Sequence, residues 1–213
     1  LCSVTAAMLY SVPLPPRLEQ SLLLHVGVPA PARAARVEGV VGHKFQIEES
    51  DIREWYGLRV TTPERTWCDL ATVLSTPDLV AAGDYVIHWE LPLASQAALY
   101  SAMLRHPGQR GRRRLVRAFD QLNDRSESRR ESLLRVIVVN AHIRGVEPNV
   151  WITTSGGYRY RGDLVIREKK LVIEYQSRFH DATKEFGDDM TRISRLEADG
   201  WYVLQVNNRD LAD

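Results

Sequence analysis

Apolar and polar positions alternate most regularly in the last third of the chain, where they predict a small sheet with helices around it. Short runs rich in branched residues predict three antiparallel strands over residues 150–154, 158–166 and 171–176. A helix over 128–142 precedes them and an amphipathic helix over 182–199 follows them. A final strand over 201–206 comes after this helical crossover, so it is expected to run parallel to the 171–176 strand.

The first half of the chain predicts a separate mixed domain. Strands are expected over 20–28, 37–47 and 58–60, the second as a strand or a hairpin, and Thr62 and Pro63 open a helix as its cap and first residue. A basic run with glycines and a short helix follow, over 107–127. The expected fold class is therefore α/β (α+β), with an N-terminal domain over 1–106, a basic linker and helix over 107–127, and a second domain over 128–213.

The 158–166 and 171–176 strands form a hairpin that carries the candidate chemistry. Folded between Glu168 and Lys169, this hairpin places Asp163 opposite Glu174, with Gln176 on the same face. Opposed like charges destabilise a strand pair, so a cation between the two carboxylates would relieve the repulsion. Mg²⁺, or Mn²⁺, suits such a site because it binds carboxylates together with water and substrate phosphate.

These residues resemble the PD-(D/E)XK nuclease superfamily, and especially the branch related to very-short-patch repair endonucleases. The resemblance covers roughly residues 126–213, and the motifs that carry it are Glu131-Ser132, Gly162-Asp163, Glu174-Tyr175 with His180, the 188–195 helix, and Gly200 to Val203. It implies a restriction-endonuclease-like core of helix, three-stranded antiparallel unit, helix and strand. It also implies a metal-dependent DNA endonuclease that hydrolyses phosphodiester bonds.

The resemblance also implies roles for individual residues. Asp163, Glu174 and Glu131 would bind the metal, and Gln176, in place of the superfamily's usual Lys, would position the attacking water. His180 would orient a water, protonate a leaving group or touch a phosphate, or it is simply a histidine in a surface loop. Glu131 has an equally simple explanation, because it lies three residues after Ser128 with the spacing of a capping box.

Several arginines are candidates for binding a nucleic-acid backbone. They are Arg110, Arg112, Arg113 and Arg114 in the basic run, and Arg178, Arg192 and Arg195 in the second domain. Plain solvation of a linker and of a helix face explains them equally well.

The first half resembles the C-terminal domain of the AbiE-type abortive-infection antitoxins. The shared motifs are Thr61-Thr62-Pro63-Glu64-Arg65-Thr66 and Asp69-Leu70-Ala71. A winged helix precedes this domain in that family, and a chain that opens on Leu1 suggests a trimmed fragment. The resemblance favours an alternative function, a non-catalytic DNA-binding regulator with a cognate toxin as partner and a nuclease-like scaffold.

A third interpretation is purely structural, with Asp163 paired to Arg161 or Arg178 and no metal. The partner of the acidic pair distinguishes these interpretations. If a guanidinium binds either carboxylate, the enzyme interpretation fails and a scaffold that binds nucleic acid remains.

Composition adds only broad bounds. The chain has 213 residues, 44% of them hydrophobic, and a net charge of +1, which does not identify a partner. Cys2 and Cys68 show no metal or redox spacing, which favours reduced thiols and a cytoplasmic location. His25, His43 and His88 are scattered and are expected to be surface or hydrogen-bonded histidines. The expected partner is DNA, a homodimer is compatible with the sequence, and no membrane contact is expected.

Overall fold

The computed structural model describes residues 1–176 and 184–211, with the backbone alone over 184–188. The chain divides into two compact units, Leu1–Asp124 and Arg125–Asp213. Both mix helices and strands, which confirms the α/β fold class. No helix within the described residues is long and apolar enough to cross a membrane.

The first unit is mainly helical, with two small two-stranded sheets. Its helices are α1 (Ser3–Leu9), α2 (Pro16–Glu19), α3 (Pro63–Leu70), α4 (Thr76–Val86), α5 (Gln96–Arg105) and α6 (Arg112–Phe119). Its strands are β1 (Leu24–Pro29), β2 (Val40–Phe45), β3 (Ile52–Trp55) and β4 (Leu58–Thr61). The β1–β2 pair is parallel and the β3–β4 pair is antiparallel. The 37–47 segment is therefore a strand paired with β1 and not a hairpin.

Caps and apolar stripes explain where the helices of the first unit begin. The Thr62 hydroxyl accepts a hydrogen bond from the Arg65 backbone N–H, and Pro63 occupies the first helical position of α3, as the sequence predicts. The buried side of α3 places Trp67 and Leu70 in a core with residues from the other helices. Trp67 also donates its indole N–H to the Leu79 carbonyl at 2.9 Å. This bond fixes α3 against α4.

The basic segment belongs to the first unit and does not link two bodies. Helix α6 begins at Arg112, three residues earlier than the sequence predicts, and Leu115 and Ala118 are buried. The division between the units falls after Asp124. Leu115 and Ala118 are apolar residues three positions apart in an arginine-rich helix, and this spacing is the sequence signal that the helix packs against a core.

The second unit has the predicted order of helix, three antiparallel strands, helix and parallel strand. Its elements are α7 (Arg129–Asn140), β5 (Val146–Thr153), β6 (Arg159–Ile166), β7 (Leu171–Tyr175), α8 (Lys184–Ala198) and β8 (Tyr202–Val206). The sheet order is β5-β6-β7-β8, with β8 parallel to β7 and the other neighbours antiparallel.

Two apolar layers hold the second unit together, one on each side of its sheet. Alternate residues of β6 and β7 pack on α7 in one layer and toward α8 in the other. The α7 layer contains Leu134, Val138, Leu164 and Ile173, and the α8 layer contains Ile152, Val165, Val172 and Leu196. The predicted β6–β7 register is confirmed from Ile166↔Leu171 through Leu164↔Ile173.

Candidate functional site

The strand β6 is distorted at Gly162 and Asp163, where the candidate site begins. A Cβ atom at Gly162 would lie 2.8 Å from side-chain carbons of Val165 and Val172, so only glycine fits this approach. Asn149, between the paired residues on β5, has a φ of +51° and does not join the ladder. The backbone around Asp163 therefore departs from regular pleating.

Asp163 does not face Glu174 across a regular ladder, which corrects the expected direct opposition. The β6–β7 pairing ends at Leu164↔Ile173. Instead, the Oδ2 atom of Asp163 accepts the backbone N–H of Tyr175 at 2.8 Å. The carboxylate thus satisfies a main-chain donor that the shortened ladder leaves without a strand partner.

Asp163 is the most perturbed carboxyl group of this site. Burial raises its pKa from 3.8 to about 6, against the opposing effect of the Tyr175 N–H bond. The charges of Glu131 and Glu174 raise the pKa of Asp163 further, while Arg192 lowers it. The structure therefore brings the three sequence-predicted carboxylates into one electrostatic neighbourhood.

Glu174 is bound by an arginine. Its side chain is buried, with 7% of the residue exposed, and both of its oxygens accept hydrogen bonds from the Arg192 guanidinium on α8. Arg192 also donates to Asp189 Oδ1, with Nε at 3.1 Å and Nη2 at 2.6 Å. The hydrogen bonds to Glu174 raise the already high pKa of Arg192. The contact of Arg192 with nucleic acid stays a prediction, and most of the guanidinium donors are used within the protein in this arrangement.

Gln176 joins the edge of the same network. Its Nε2 lies 3.5 Å from Asp189 Oδ2, and the Gln205 Nε2 on β8 lies 3.4 Å from the same oxygen. Both are long, weak contacts on exposed side chains. Gln176 thus contacts Asp189, a residue that the sequence analysis did not select.

Glu131 combines a capping contact with a contact into the site. Ser128 caps α7, because its hydroxyl accepts the Glu131 N–H at 3.2 Å. The Glu131 side chain reaches back to the Glu127 N–H at 3.0 Å rather than to Ser128 as in a standard capping box. The same Oε2 atom also accepts the Asn149 Nδ2 at 2.6 Å. Local capping therefore accounts for much of the position of Glu131.

The carboxylates predicted to bind a divalent metal already have hydrogen-bond partners within the protein. Among the residues that the structure describes, no group of three or more His, Cys, Asp or Glu side chains is placed to hold a metal ion. Both oxygens of Glu174 hold Arg192, and one oxygen each of Asp163 and Glu131 accepts a backbone N–H. A Mg²⁺ ion bound by Glu174 would have to displace Arg192.

The other predicted nucleic-acid arginines fall into three groups. Arg112 donates to the Met103 carbonyl and Arg114 to the Ala71 carbonyl at 2.7 Å, so both help to hold the first unit together and their predicted contacts with nucleic acid stay predictions. Arg110, Arg113 and Arg195 are exposed. Arg178 and His180 lie outside the described residues. Arg161 pairs with Glu127 and not with Asp163.

The functional residues that the sequence analysis missed are Asp189 and Asn149. Asp189 lies three residues before Arg192 on α8, a spacing that places two side chains on one helix face. That spacing could have shown that Arg192 has a partner on its own helix. Asn149 gave a weaker signal, since asparagine is one of the few residues that tolerate a positive φ.

The first unit has a polar cluster of its own, centred on Arg65. This arginine donates to Asp51 Oδ2 at 2.9 Å and to Asp69 Oδ1 at 3.0 Å, and His106 lies 3.0 Å from the same Asp69 oxygen. Arg65 and Asp69 line cavities of about 380 and 320 Å³ respectively. Through Arg65 the cluster joins α3 to the segment before β3, and through Asp69 it joins α3 to His106.

The histidines of the first unit behave as expected. His25 Nδ1 and His43 Nε2 lie 2.9 Å apart, so one ring donates to the other. Burial lowers the pKa of both rings. Cys2 and Cys68 are buried free thiols, and burial raises the pKa of Cys2 to about 12.

Comparisons with known proteins find distant relatives without an established function. The chain is 26% identical over 209 residues to two uncharacterized proteins of Mycobacterium tuberculosis, MT2308 of strain CDC 1551 / Oshkosh and Rv2248 of strain H37Rv. The match covers 96% of this chain and 73% of each relative. No family model and no solved structure matches the chain.

Proposed function

We propose that this protein is a non-catalytic DNA-binding regulator of the antitoxin type, that its second unit is a nuclease-like scaffold, and that it acts in the cytoplasm. The observation that carries this proposal is the bidentate pairing of Glu174 with Arg192. A cognate toxin is the partner that this function requires, and a homodimer is compatible with it.

The pairing matters because it removes the electrostatic reason for a metal. A buried carboxylate needs a partner, and a planar guanidinium that matches both of its oxygens supplies one. Arg192 is held in turn by Asp189 from the preceding helical turn, so its orientation is fixed. Gln176 in place of Lys agrees with this interpretation, since Gln176 contributes no positive charge at the site.

The contacts to DNA come from those predicted arginines that are exposed in the structure. Arg195 lies on α8 of the second unit, and Arg110 and Arg113 are exposed in the first. Phosphate contacts by such residues give affinity without base specificity, and they weaken steeply as salt rises. Few contacts are available here, so we expect weak, salt-sensitive binding.

Fluorescence anisotropy with a labelled duplex in EDTA tests this proposal. We expect metal-independent binding, with each removed phosphate contact lowering the slope of log affinity against log salt by about one. Arg195→Ala and Arg113→Ala are the test variants. Arg209→Ala is the matched control, because Arg209 is also exposed but is not among the predicted contacts. Equal binding by all four proteins would remove the assignment.

A metal-dependent DNA endonuclease is the second candidate, and the raised pKa of Asp163 favours it. Burial, together with the charges of Glu131 and Glu174, raises that pKa to about 6, and carboxyl groups with shifted pKa values are common at catalytic sites. Nicking of supercoiled plasmid with Mg²⁺ or Mn²⁺ separates the candidates. Nicking by the wild type that both Asp163→Ala and Glu174→Ala abolish would establish the nuclease and overturn the non-catalytic proposal.

A further inference from the structure

We propose that Tyr158, Tyr160 and Arg195 form a stacking site for an unpaired base, so that the second unit prefers single-stranded DNA. We call these three residues the tyrosine–arginine cluster. This inference rests on the proposed DNA-binding function and specifies its substrate class. Nothing in the resemblance or in the comparisons assigns a role to the two tyrosines.

The cluster is a preformed stack in which the exposed Arg195 guanidinium covers one face of the Tyr158 ring, so a base would stack on the outer side of the guanidinium. The Arg195 guanidinium lies 3.7 Å from the centre of the Tyr158 ring, and its Nη1 donates to the Tyr160 hydroxyl at 3.2 Å. The two tyrosine rings stack with centroids 6.4 Å apart and an angle of 21° between their planes. Arg195 is thus held in place by both rings before any ligand arrives.

The cluster is also accessible. Tyr158 is 46% exposed although it is a large aromatic residue, and it follows the turn between β5 and β6. An exposed ring and an arginine that a second ring holds in place form a rigid surface on which single-stranded nucleic acids can stack, since every base has a π-face and every linkage a phosphate. Bases in a duplex are already stacked on one another and cannot offer a face to Tyr158.

The position of the cluster connects it to the acidic network. Arg195 follows Arg192 by three residues on α8, which is a rise of roughly 4.5 Å along the helix axis. Leu196 is fully buried and anchors this part of α8 on the sheet. A base on Tyr158 would therefore lie about one helical turn from the pairing of Arg192 with Glu174.

A second exposed aromatic residue provides a matched control. Trp151 is 52% exposed and Arg159 lies 5.0 Å from its ring centre, so its composition is similar. Ile152 pairs with Tyr160 and is buried toward α8, and the neighbouring Trp151 therefore points to the opposite face of the sheet. The variant Trp151→Ala therefore distinguishes the effect of losing any exposed aromatic residue on binding from the effect of losing the cluster.

The experiment compares binding of a labelled single-stranded oligonucleotide and its duplex in EDTA. We expect the wild type to prefer the single strand, and Tyr158→Ala to weaken single-strand binding roughly tenfold and duplex binding much less, so that the preference for the single strand is lost. Tyr158→Phe keeps the ring and should retain binding, and Trp151→Ala should bind as the wild type does. Circular dichroism confirms that each variant is folded.

The outcomes separate this inference from the proposed function. Duplex binding without a preference for the single strand, or a single-strand affinity that Tyr158→Ala does not change, would overturn the stacking site and leave DNA binding intact. Absence of binding to either DNA would overturn both. A stronger preference for single-stranded RNA of the same length would overturn the assignment to DNA.

Discussion

Each unit of this protein places one helix arginine between two carboxylates, but the charge balance differs between them. In the first unit Arg65 pairs with Asp51 and Asp69, and His106 supplies a further donor to Asp69. In the second unit Arg192 pairs with Glu174 and Asp189, and two more carboxylates influence the same site. The second unit thus has one arginine bound to two carboxylates, with two further carboxylates nearby.

The difference distinguishes a structural cluster from a candidate binding site. The Arg65 side chain is only 4% exposed and binds a carboxylate on each side, so the cluster serves the stability of the first unit. The Arg192 side chain is 23% exposed, and the pKa of the nearby Asp163 is raised, first by burial and then by the charges of Glu131 and Glu174. Crowding carboxylates in this way costs stability, so a protein retains such an arrangement mainly where it binds a ligand.

The largest expected effect is the loss of stability on changing Arg65 to Ala. Removing one partner of a buried ion pair leaves uncompensated charge, here on Asp51 and Asp69, and should destabilise the first unit by about 4 kcal/mol. Chemical denaturation followed by the fluorescence of the buried Trp67 measures it. The matched change Arg192→Ala should cost less, about 2 kcal/mol in the second unit, because that site is more accessible to water.

Equal costs for the two arginine variants would contradict the comparison. A loss below about 1 kcal/mol for Arg65→Ala would show that the first-unit cluster behaves as a surface ion pair. Arg59→Ala is the control for such a surface pair, since Arg59 binds Glu49 with both side chains mostly exposed.

The second prediction concerns the pH dependence of Asp163. Because its pKa is raised from 3.8 to about 6, the folded state holds this proton more tightly than the unfolded state. The free energy of unfolding should therefore fall as pH rises from about 4 to about 6, and the loss should persist above that window. The full shift corresponds to about 3 kcal/mol, and we expect about 2 kcal/mol because the group is partly solvated.

Asp163→Asn isolates this contribution. The amide oxygen still accepts the Tyr175 N–H, while the buried charge is removed. The variant should be more stable than the wild type at pH 7 and equally stable at pH 4, as measured by urea denaturation at several pH values. A variant that is less stable at pH 7 would show that the Asp163 charge is compensated in the folded protein.

The hydrophobic pattern predicted the second unit well because its strands are buried on alternating faces. Alternation specifies the register from Ile166↔Leu171 to Leu164↔Ile173, and the helical crossover specifies the parallel β8. The pattern failed at Asp163, where the ladder ends and the carboxylate turns to a backbone N–H. Alternation carries no information about where a ladder stops.

The sequence predicted which carboxylates form the candidate site but not their hydrogen-bond partners. Asp163, Glu174 and Glu131 do come together, whereas the pairing of Glu174 with Arg192 depends on how α8 packs over the sheet. Sequence spacing places Arg192 on a helix face but does not say what that face meets. The same limit applies to Arg112 and Arg114, whose carbonyl partners lie in other helices or turns.

The smallest expected effect compares one helix cap in each unit. Ser95 accepts the Ala98 N–H at 3.1 Å at the start of α5, and Ser128 accepts the Glu131 N–H at 3.2 Å at the start of α7. Replacing either serine with Ala should cost about 1 kcal/mol, because one backbone donor loses its partner. The two variants should differ in how their cost in stability depends on pH. Since Glu131 raises the pKa of Asp163, Ser128→Ala should change the stability of the second unit differently at pH 5 and pH 7, whereas Ser95→Ala should cost the same at both. Urea denaturation at the two pH values measures this, and equal costs for Ser128→Ala would show that Glu131 keeps its place without the cap.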